Sequence, residues 1–139
     1  MGPGKDKESY GMNEYDRCFA CGQANPWGLK LIFHQDKNGV WADVVFHKNY
    51  EGYPDIVHGG IVTTVLDEAM AKAVLARGVV AYTAELRVRL KKKAVPGEKY
   101  RVYGRLISSR RNLYELEAVL RKGEEVIAEA HARFLAPGK

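Results

Sequence analysis

Residues 59–77 read GGIVTTVLDEAMAKAVLAR and form the one long helical pattern in the chain. Their apolar side chains recur at i, i+1, i+4 and i+5, which is typical of an α-helix with a broad buried face. Gly78 follows, and glycine readily adopts the left-handed conformation that ends many helices. A helix with so wide an apolar face needs cover on most of its sides, which a curved antiparallel sheet supplies. The apolar positions are Ile61, Val62, Val65, Leu66, Ala69, Met70, Ala73 and Val74.

Strand patterns lie on both sides of this helix. Residues 29–34 and 40–47 precede it, joined by Asp36-Lys37-Asn38-Gly39, in which Asn-Gly tolerates the positive φ of a tight hairpin. Four longer strands are predicted at residues 82–91, 99–109, 112–121 and 126–135. Because short turns join them, they are expected to pair with antiparallel neighbours. We therefore predict an α+β fold in which a curved antiparallel sheet of five to six strands wraps around one long central helix.

The length and composition indicate a single soluble domain. The chain has 139 residues, and one domain usually takes roughly 100 to 200. With 46% hydrophobic and 28% charged residues, a disordered or fibrous class is excluded. Residues 1–14 lack an apolar period and are predicted to be a flexible tail before a domain at 15–137. No apolar run approaches the roughly 18 residues of a membrane span and no secretory signal is visible, so we expect a cytoplasmic protein without a membrane partner.

The charge balance is mildly basic. Lys and Arg number 22 against 17 acidic residues, a formal net charge of +5. A surface for single-stranded nucleic acid would interleave exposed aromatic residues with the basic ones, and the basic strand residues lack them. Nucleic acid is therefore not expected as a partner. A phosphorylated small molecule fits the charge better, because arginine side chains bind phosphates in a bidentate manner.

The run His58-Gly59-Gly60 opens the helix. The first N–H groups of a helix have no intrahelical acceptor, and glycine leaves them unhindered. They lie at the positive end of the helix dipole, so they suit a phosphate or a developing oxyanion. The competing interpretation is a loop that needs glycine for its dihedral angles. The motif alone favours neither interpretation.

Two acidic residues lie on opposite margins of the apolar helix face. Glu68 has Lys72 at i+4, which predicts a solvated surface pair. Asp67 has no cation one turn away, so it is either paired across the fold or placed in a cleft, where desolvation raises the pKa towards that of a general base. At 1.5 Å per residue, Asp67 lies roughly 12 Å along the axis from Gly59. Both groups can serve one site only if the substrate spans them or if a second chain supplies one of them, and we favour a site at a subunit interface.

Cys18 and Cys21 are the two cysteines, in a C-x-x-C spacing. A structural zinc site normally has four Cys or His ligands, and no second pair follows. A redox dithiol would be expected in a thioredoxin-like β-α-β context, which the pattern does not show. The sequence favours reduced thiols packed in an N-terminal turn and predicts neither a metal nor another cofactor.

Three segments resemble a known family. Val57-His58-Gly59-Gly60-Ile61 followed by Leu66-Asp67-Glu68-Ala69 is similar to an active-site signature of the hot-dog superfamily of acyl-CoA thioesterases. The branch concerned includes phenylacetate-pathway enzymes and mitochondrial acyl-CoA thioesterases. The opening segment of that branch is similar to CFACG at 18–22 with NPWGLKL at 25–31. The strand after its helix is similar to TAELRV at 83–88. The resemblance covers about residues 16–136 and implies a hot-dog fold that acts on acyl-CoA as a homodimer or homotetramer.

The resemblance also implies catalytic roles. Asp67 would be the general base or nucleophile, and the Gly59 N–H would donate to the thioester carbonyl oxygen. His58 would orient the substrate or the loop, and Thr83 would help to hold the attacking water. These roles agree with the chemistry, because one preorganised donor and one carboxylate suffice for thioester hydrolysis without a metal.

For substrate binding, the resemblance implies Gly60, Arg89 and Arg101. The two arginines would lie near the nucleotide of coenzyme A. Several relatives place an Asn where this chain has Gly52, so the role of that amide is absent or falls to His58 or Asn49. Two alternatives remain at this point. One is a non-catalytic acyl-CoA binding or sensor protein, and the other is a hydratase or dehydratase with His58 as its base.

Overall fold

The computed structural model describes residues 16–137, and the predicted tail at 1–14 lies outside them. One helix, α1 (Gly59–Leu75), packs against one six-stranded sheet, and a 3-10 turn (Lys48–Tyr50) precedes it. The strands are β1 (His34–Asp36), β2 (Gly39–Val45), β3 (Tyr82–Leu90), β4 (Lys99–Arg110), β5 (Leu113–Lys122) and β6 (Glu125–Leu135). Both the single helix and the number of strands are as predicted.

The sheet is antiparallel throughout, in the order β1-β2-β4-β5-β6-β3. The helix leads directly into β3, which lies at the opposite edge of the sheet from β1. One side of β3 pairs with β6, and within residues 16–137 its other side is unpaired. The strand that follows the helix is therefore an open edge.

The apolar face of α1 forms the centre of the core. Seven of its residues are buried, and the eighth predicted position, Ile61, is half-buried against them. Within the described part of the chain, no helix is long and apolar enough to cross a membrane. The buried helix residues are Val62, Val65, Leu66, Ala69, Met70, Ala73 and Val74.

The helix lies directly on β4 at Gly104. A Cβ atom at this position would stand 2.4 Å from the carbonyl oxygen of Ala69 and 3.1 Å from its side chain. Backbone cannot yield as a flexible side chain does, so only glycine lets helix and strand approach this closely. Gly104 therefore sets the spacing between α1 and the middle of the sheet.

We expect Gly104→Ala to destabilise the fold by about 1–3 kcal/mol, because the added methyl group forces α1 away from β4. Urea unfolding monitored by circular dichroism measures the change. Ser109→Ala is the matched control, since it changes one small residue at the exposed end of the same strand. An equal effect of both substitutions would contradict the close approach.

The first predicted strand is wrong in its position. It was expected at residues 29–34, whereas β1 is His34–Asp36. Leu29 donates its N–H to the Phe19 carbonyl oxygen at 2.8 Å, and Leu31 donates to that of Ala20 at 2.9 Å. Leu31 and Phe33 of this segment are buried in the core, whereas Ile32 is exposed. The backbone N–H groups of Leu29 and Leu31 donate to the N-terminal turn and not to a strand. The helix also ends two residues before the predicted Arg77.

Candidate active site

His58 caps the N-terminus of α1. Its Nδ1 accepts the Gly60 N–H at 2.9 Å, and its carbonyl oxygen accepts the N–H groups of Ile61 and Val62 at 2.9 and 3.2 Å. Among residues 16–137, the Gly59 N–H has no acceptor. The cap therefore leaves one free amide at the positive end of the helix dipole. The Gly60 amide, predicted to bind substrate, is occupied by His58.

The loop before the helix holds His58 in place. The His58 N–H donates to the Tyr50 carbonyl oxygen at 2.8 Å, and the Val57 N–H donates to that of Ala94 at 2.8 Å. A Cβ atom at Gly52 would stand 3.3 Å from the Cα of His58. Gly52 thus lies against the histidine, with little room for a side chain.

Gly59 faces the end of the edge strand β3. A Cβ atom there would lie 3.0 Å from Cδ1 of Leu90, the last residue of β3. The Thr63 hydroxyl donates to the Gly59 carbonyl oxygen at 2.8 Å. The free amide of Gly59 is therefore next to the C-terminal end of an open strand.

Asp67 faces the other end of the same strand. The Thr83 hydroxyl, at the second residue of β3, donates to Asp67 Oδ1 at 2.8 Å. Burial raises the pKa of Asp67 above its usual value, and the hydrogen bond from Thr83 opposes this rise. The β3–β6 register shifts between Thr83 and Glu85, and such a bulge re-aims nearby side chains. The structure therefore brings Thr83 and Asp67 together.

Asp67 and Gly59 do not meet within one chain. Both lie on the continuous helix α1, eight residues apart, which corresponds to roughly 12 Å along its axis. Gly59 is near the end of β3 and Asp67 near its start. A single substrate carbonyl group cannot contact both groups of the same protomer.

The two predicted phosphate-binding arginines are also apart. Arg89 is exposed on β3, opposite Glu129 of β6 in the register. Arg101 lies on β4, where its Nε is 2.9 Å from Asp43 Oδ1 and its guanidinium stacks 3.9 Å from the centre of the Trp41 ring. Two strands separate β3 from β4, which places these strands roughly 14 Å apart. Within one chain the arginines do not form a cluster.

Glu68 is not the solvated partner of Lys72 that the sequence predicted. It is half-buried, and its Oε2 lies 4.0 Å from Cys18 Sγ. Burial raises the pKa of Glu68 to about 7. The hydrogen bond with Cys21 lowers the pKa of the Cys18 thiol to about 5, and the same bond raises that of Cys21. The sequence carries no signal for this contact, because 47 residues separate Cys21 from Glu68 and the spacing alone does not bring them together.

The family model of the thioesterase superfamily matches residues 55–129, more than half of the chain. The chain belongs to the thioesterase superfamily. The match includes the capped helix start, Asp67 and Thr83. No match is found among curated proteins.

Solved structures of the thioesterase superfamily share the fold. One member is 22% identical with a TM-score of 0.79, covering 84% of this chain and 61% of that one, so this chain spans about three fifths of that relative. A Streptococcus mutans protein bound to acetyl CoA is 18% identical with a TM-score of 0.73, covering 78% and 90%. A phenylacetic acid degradation-related protein from Ralstonia eutropha is 22% identical with a TM-score of 0.71, covering 78% and 86%. The predicted hot-dog fold and the resemblance to this superfamily are confirmed.

Proposed function

We propose that this thioesterase-superfamily chain hydrolyses acyl-CoA thioesters to coenzyme A and a carboxylic acid. The proposal depends above all on the Gly59 N–H, which the His58 cap leaves without an acceptor at the start of α1. Such an amide suits the oxyanion of an acyl-transfer reaction. Superfamily membership and the acetyl CoA bound to the Streptococcus mutans relative support the substrate class.

We propose that two chains assemble the site across β3. A nine-residue edge strand with unpaired backbone groups readily pairs with another chain. About a two-fold axis, two β3 strands run antiparallel, so the start of one lies beside the end of the other. Thr83 and Asp67 mark the start and Gly59 the end. The pairing thus brings Asp67 towards the partner's Gly59, so one substrate carbonyl group can reach both, although Asp67 and Gly59 of the same protomer are too far apart. The proposed site therefore requires a homo-oligomer.

In the proposed reaction, Asp67 takes a proton from a water molecule whose oxygen attacks the thioester carbonyl carbon. The carbonyl oxygen becomes an oxyanion and accepts the N–H of the partner's Gly59. When the tetrahedral intermediate collapses, the carbon–sulfur bond breaks and the leaving sulfur takes the proton that Asp67 holds. Coenzyme A thus leaves as the thiol, and the Asp67 carboxylate is restored. The preorganised donor contributes about 2.7–4 kcal/mol to the barrier reduction, and the base contributes about 10²- to 10⁴-fold in rate.

The other predicted residues support these two groups. Thr83 is a positioning residue, because its hydroxyl donates to Asp67. His58 keeps the Gly60 amide occupied and the loop fixed. For the phosphates of coenzyme A we favour Arg89, which is exposed on the strand of the proposed interface, over Arg101, which already pairs with Asp43. The free thiols of Cys18 and Cys21 agree with a reducing compartment such as the cytoplasm.

We expect purified protein to hydrolyse at least one member of a panel of acyl-CoA substrates of different chain lengths, with a kcat/KM of about 10⁴ M⁻¹s⁻¹ or more for the preferred one. The assay follows thioester absorbance, because a thiol reagent would also react with Cys18 and Cys21. Sedimentation velocity on the same sample is expected to show a dimer or tetramer. Saturable acyl-CoA binding without loss of thioester would instead indicate a binding protein. Conversion of an unsaturated acyl-CoA with its thioester intact would indicate a hydratase.

A further inference from the structure

Two thiols and one carboxylate lie together beside the middle of α1. The sulfur atoms of Cys18 and Cys21 and a carboxylate oxygen of Glu68 are all within 4.8 Å of one another. The cysteines come from the N-terminal turn and Glu68 from the helix, so the contact joins two distant parts of the chain. The hydrolysis proposed above uses none of these three groups.

The turn that carries the cysteines is tightly wound. The Gly22 N–H donates to the Cys18 carbonyl oxygen at 2.7 Å. A Cβ atom at Gly22 would stand 2.2 Å from the Asp16 carbonyl oxygen and 2.4 Å from the Cys18 nitrogen. Glycine is therefore required after the second cysteine.

The three groups open into a surface pocket of about 170 Å³, whose other walls are mostly apolar. Lys72 also lines this pocket and brings a positive charge to it. Two thiolates and one carboxylate would place three negative charges here. A divalent cation together with Lys72 balances them. The apolar lining includes Leu75, Val79, Val80 and Ala81.

We infer that Cys18, Cys21 and Glu68 form a binding site for a thiophilic divalent cation of the Zn²⁺ type. Zinc accepts thiolate and carboxylate ligands in tetrahedral geometry. With zinc–sulfur bonds of about 2.3 Å, two tetrahedral sulfur ligands lie roughly 3.8 Å apart. The three ligand atoms here lie within 4.8 Å of one another, so small side-chain shifts suffice to bind the ion. Three protein ligands leave a fourth position that faces the pocket and can take a water molecule.

The site would fasten the N-terminal turn to α1 next to Asp67. The sequence predicted no metal because a single C-x-x-C pair supplies only two ligands. The third ligand, Glu68, comes from the helix and becomes apparent only once the turn is seen against it.

The test uses the full-length chain, treated with a chelator and kept reduced by a phosphine. Titration with Co²⁺ is expected to give one equivalent per chain with a thiolate-to-cobalt charge-transfer band, and Zn²⁺ is expected to displace it. Cys21→Ser should lose most of this band. Glu68→Gln, which keeps both thiols and the side-chain size, should weaken Zn²⁺ binding tenfold or more. Glu115→Gln, which alters a half-buried carboxylate on β5 remote from the cysteines, should bind as the wild type does.

Three outcomes would overturn the inference. The first is the absence of a charge-transfer band under reducing conditions. The second is unchanged Zn²⁺ affinity in Glu68→Gln, which remains informative even if Cys21→Ser does not fold. The third is rapid formation of a Cys18–Cys21 disulfide in air by a protein that binds no metal, which would indicate a redox pair. None of these outcomes bears on acyl-CoA hydrolysis, because the binding assay contains no substrate.

Discussion

Asp67→Asn is expected to lower kcat for acyl-CoA hydrolysis by about 10²- to 10⁴-fold, the usual contribution of a general base. Asparagine has the size of aspartate, and its carbonyl oxygen can still accept the hydrogen bond that Thr83 donates to this position. It cannot take a proton from water. We therefore expect a large decrease in kcat with a small change in KM, as measured by steady-state kinetics on the preferred acyl-CoA.

The control for this substitution is Glu124→Gln, which neutralises an exposed carboxylate in the turn between β5 and β6. It should leave kcat unchanged. The circular dichroism spectrum of Asp67→Asn should match that of the wild type, and its thermal midpoint should be equal or higher, because the change adds no volume and removes a partly desolvated charge. A kcat within a few-fold of the wild type would exclude Asp67 as base or nucleophile.

Gly59→Pro is expected to lower kcat by about 10²- to 10³-fold, the effect of losing one oxyanion donor. Proline has no N–H, but it is well tolerated at the first position of a helix, and Gly59 occupies that position in α1. The preceding residue, His58, has φ −56° and ψ 132°, which is compatible with a following proline. The substitution thus removes the amide hydrogen while the helix is expected to remain.

Gly59→Ala is the matched control, because it adds a side chain and keeps the N–H. The new Cβ atom would stand 3.0 Å from Cδ1 of Leu90, the end of a flexible side chain that can move. We therefore expect a modest loss of activity in the alanine variant and a much larger one in the proline variant. Equal activities of the two variants would show that the amide does not stabilise the oxyanion.

Asp67→Asn and Gly59→Pro, combined in one experiment, test whether the site is shared between chains. In a heterodimer of Asp67→Asn and Gly59→Pro, one site would combine both substitutions and the other would combine two intact residues. Subunit exchange between two inactive homodimers should therefore restore about a quarter of the wild-type activity per chain. If both residues acted within one protomer, mixing would restore none.

The sequence by itself determined the local structure of this protein. The periodicity of residues 59–77 predicted α1 and its buried face, and the alternation and turns predicted most strands. These patterns depend on neighbours a few residues apart, which a helix or strand presents in a fixed geometry. The glycines after His58 predicted a helix start with available N–H groups. In the described structure the N–H of Gly60 and those of the next two residues donate to His58, so only the Gly59 N–H at this helix start lacks an acceptor.

Only the tertiary structure decided which distant groups meet. Asp67 and Glu68 are adjacent on one helix, yet one faces Thr83 and the other faces the cysteines. Charge spacing along the helix pointed to Lys72 as the partner of Glu68, whereas packing of the N-terminal turn against α1 placed Cys18 and Cys21 there. Gly104 gave no local signal, and its role depends on the Ala69 backbone above it. Contacts between residues far apart in the chain follow from how whole elements pack together, and no short stretch of sequence specifies that arrangement.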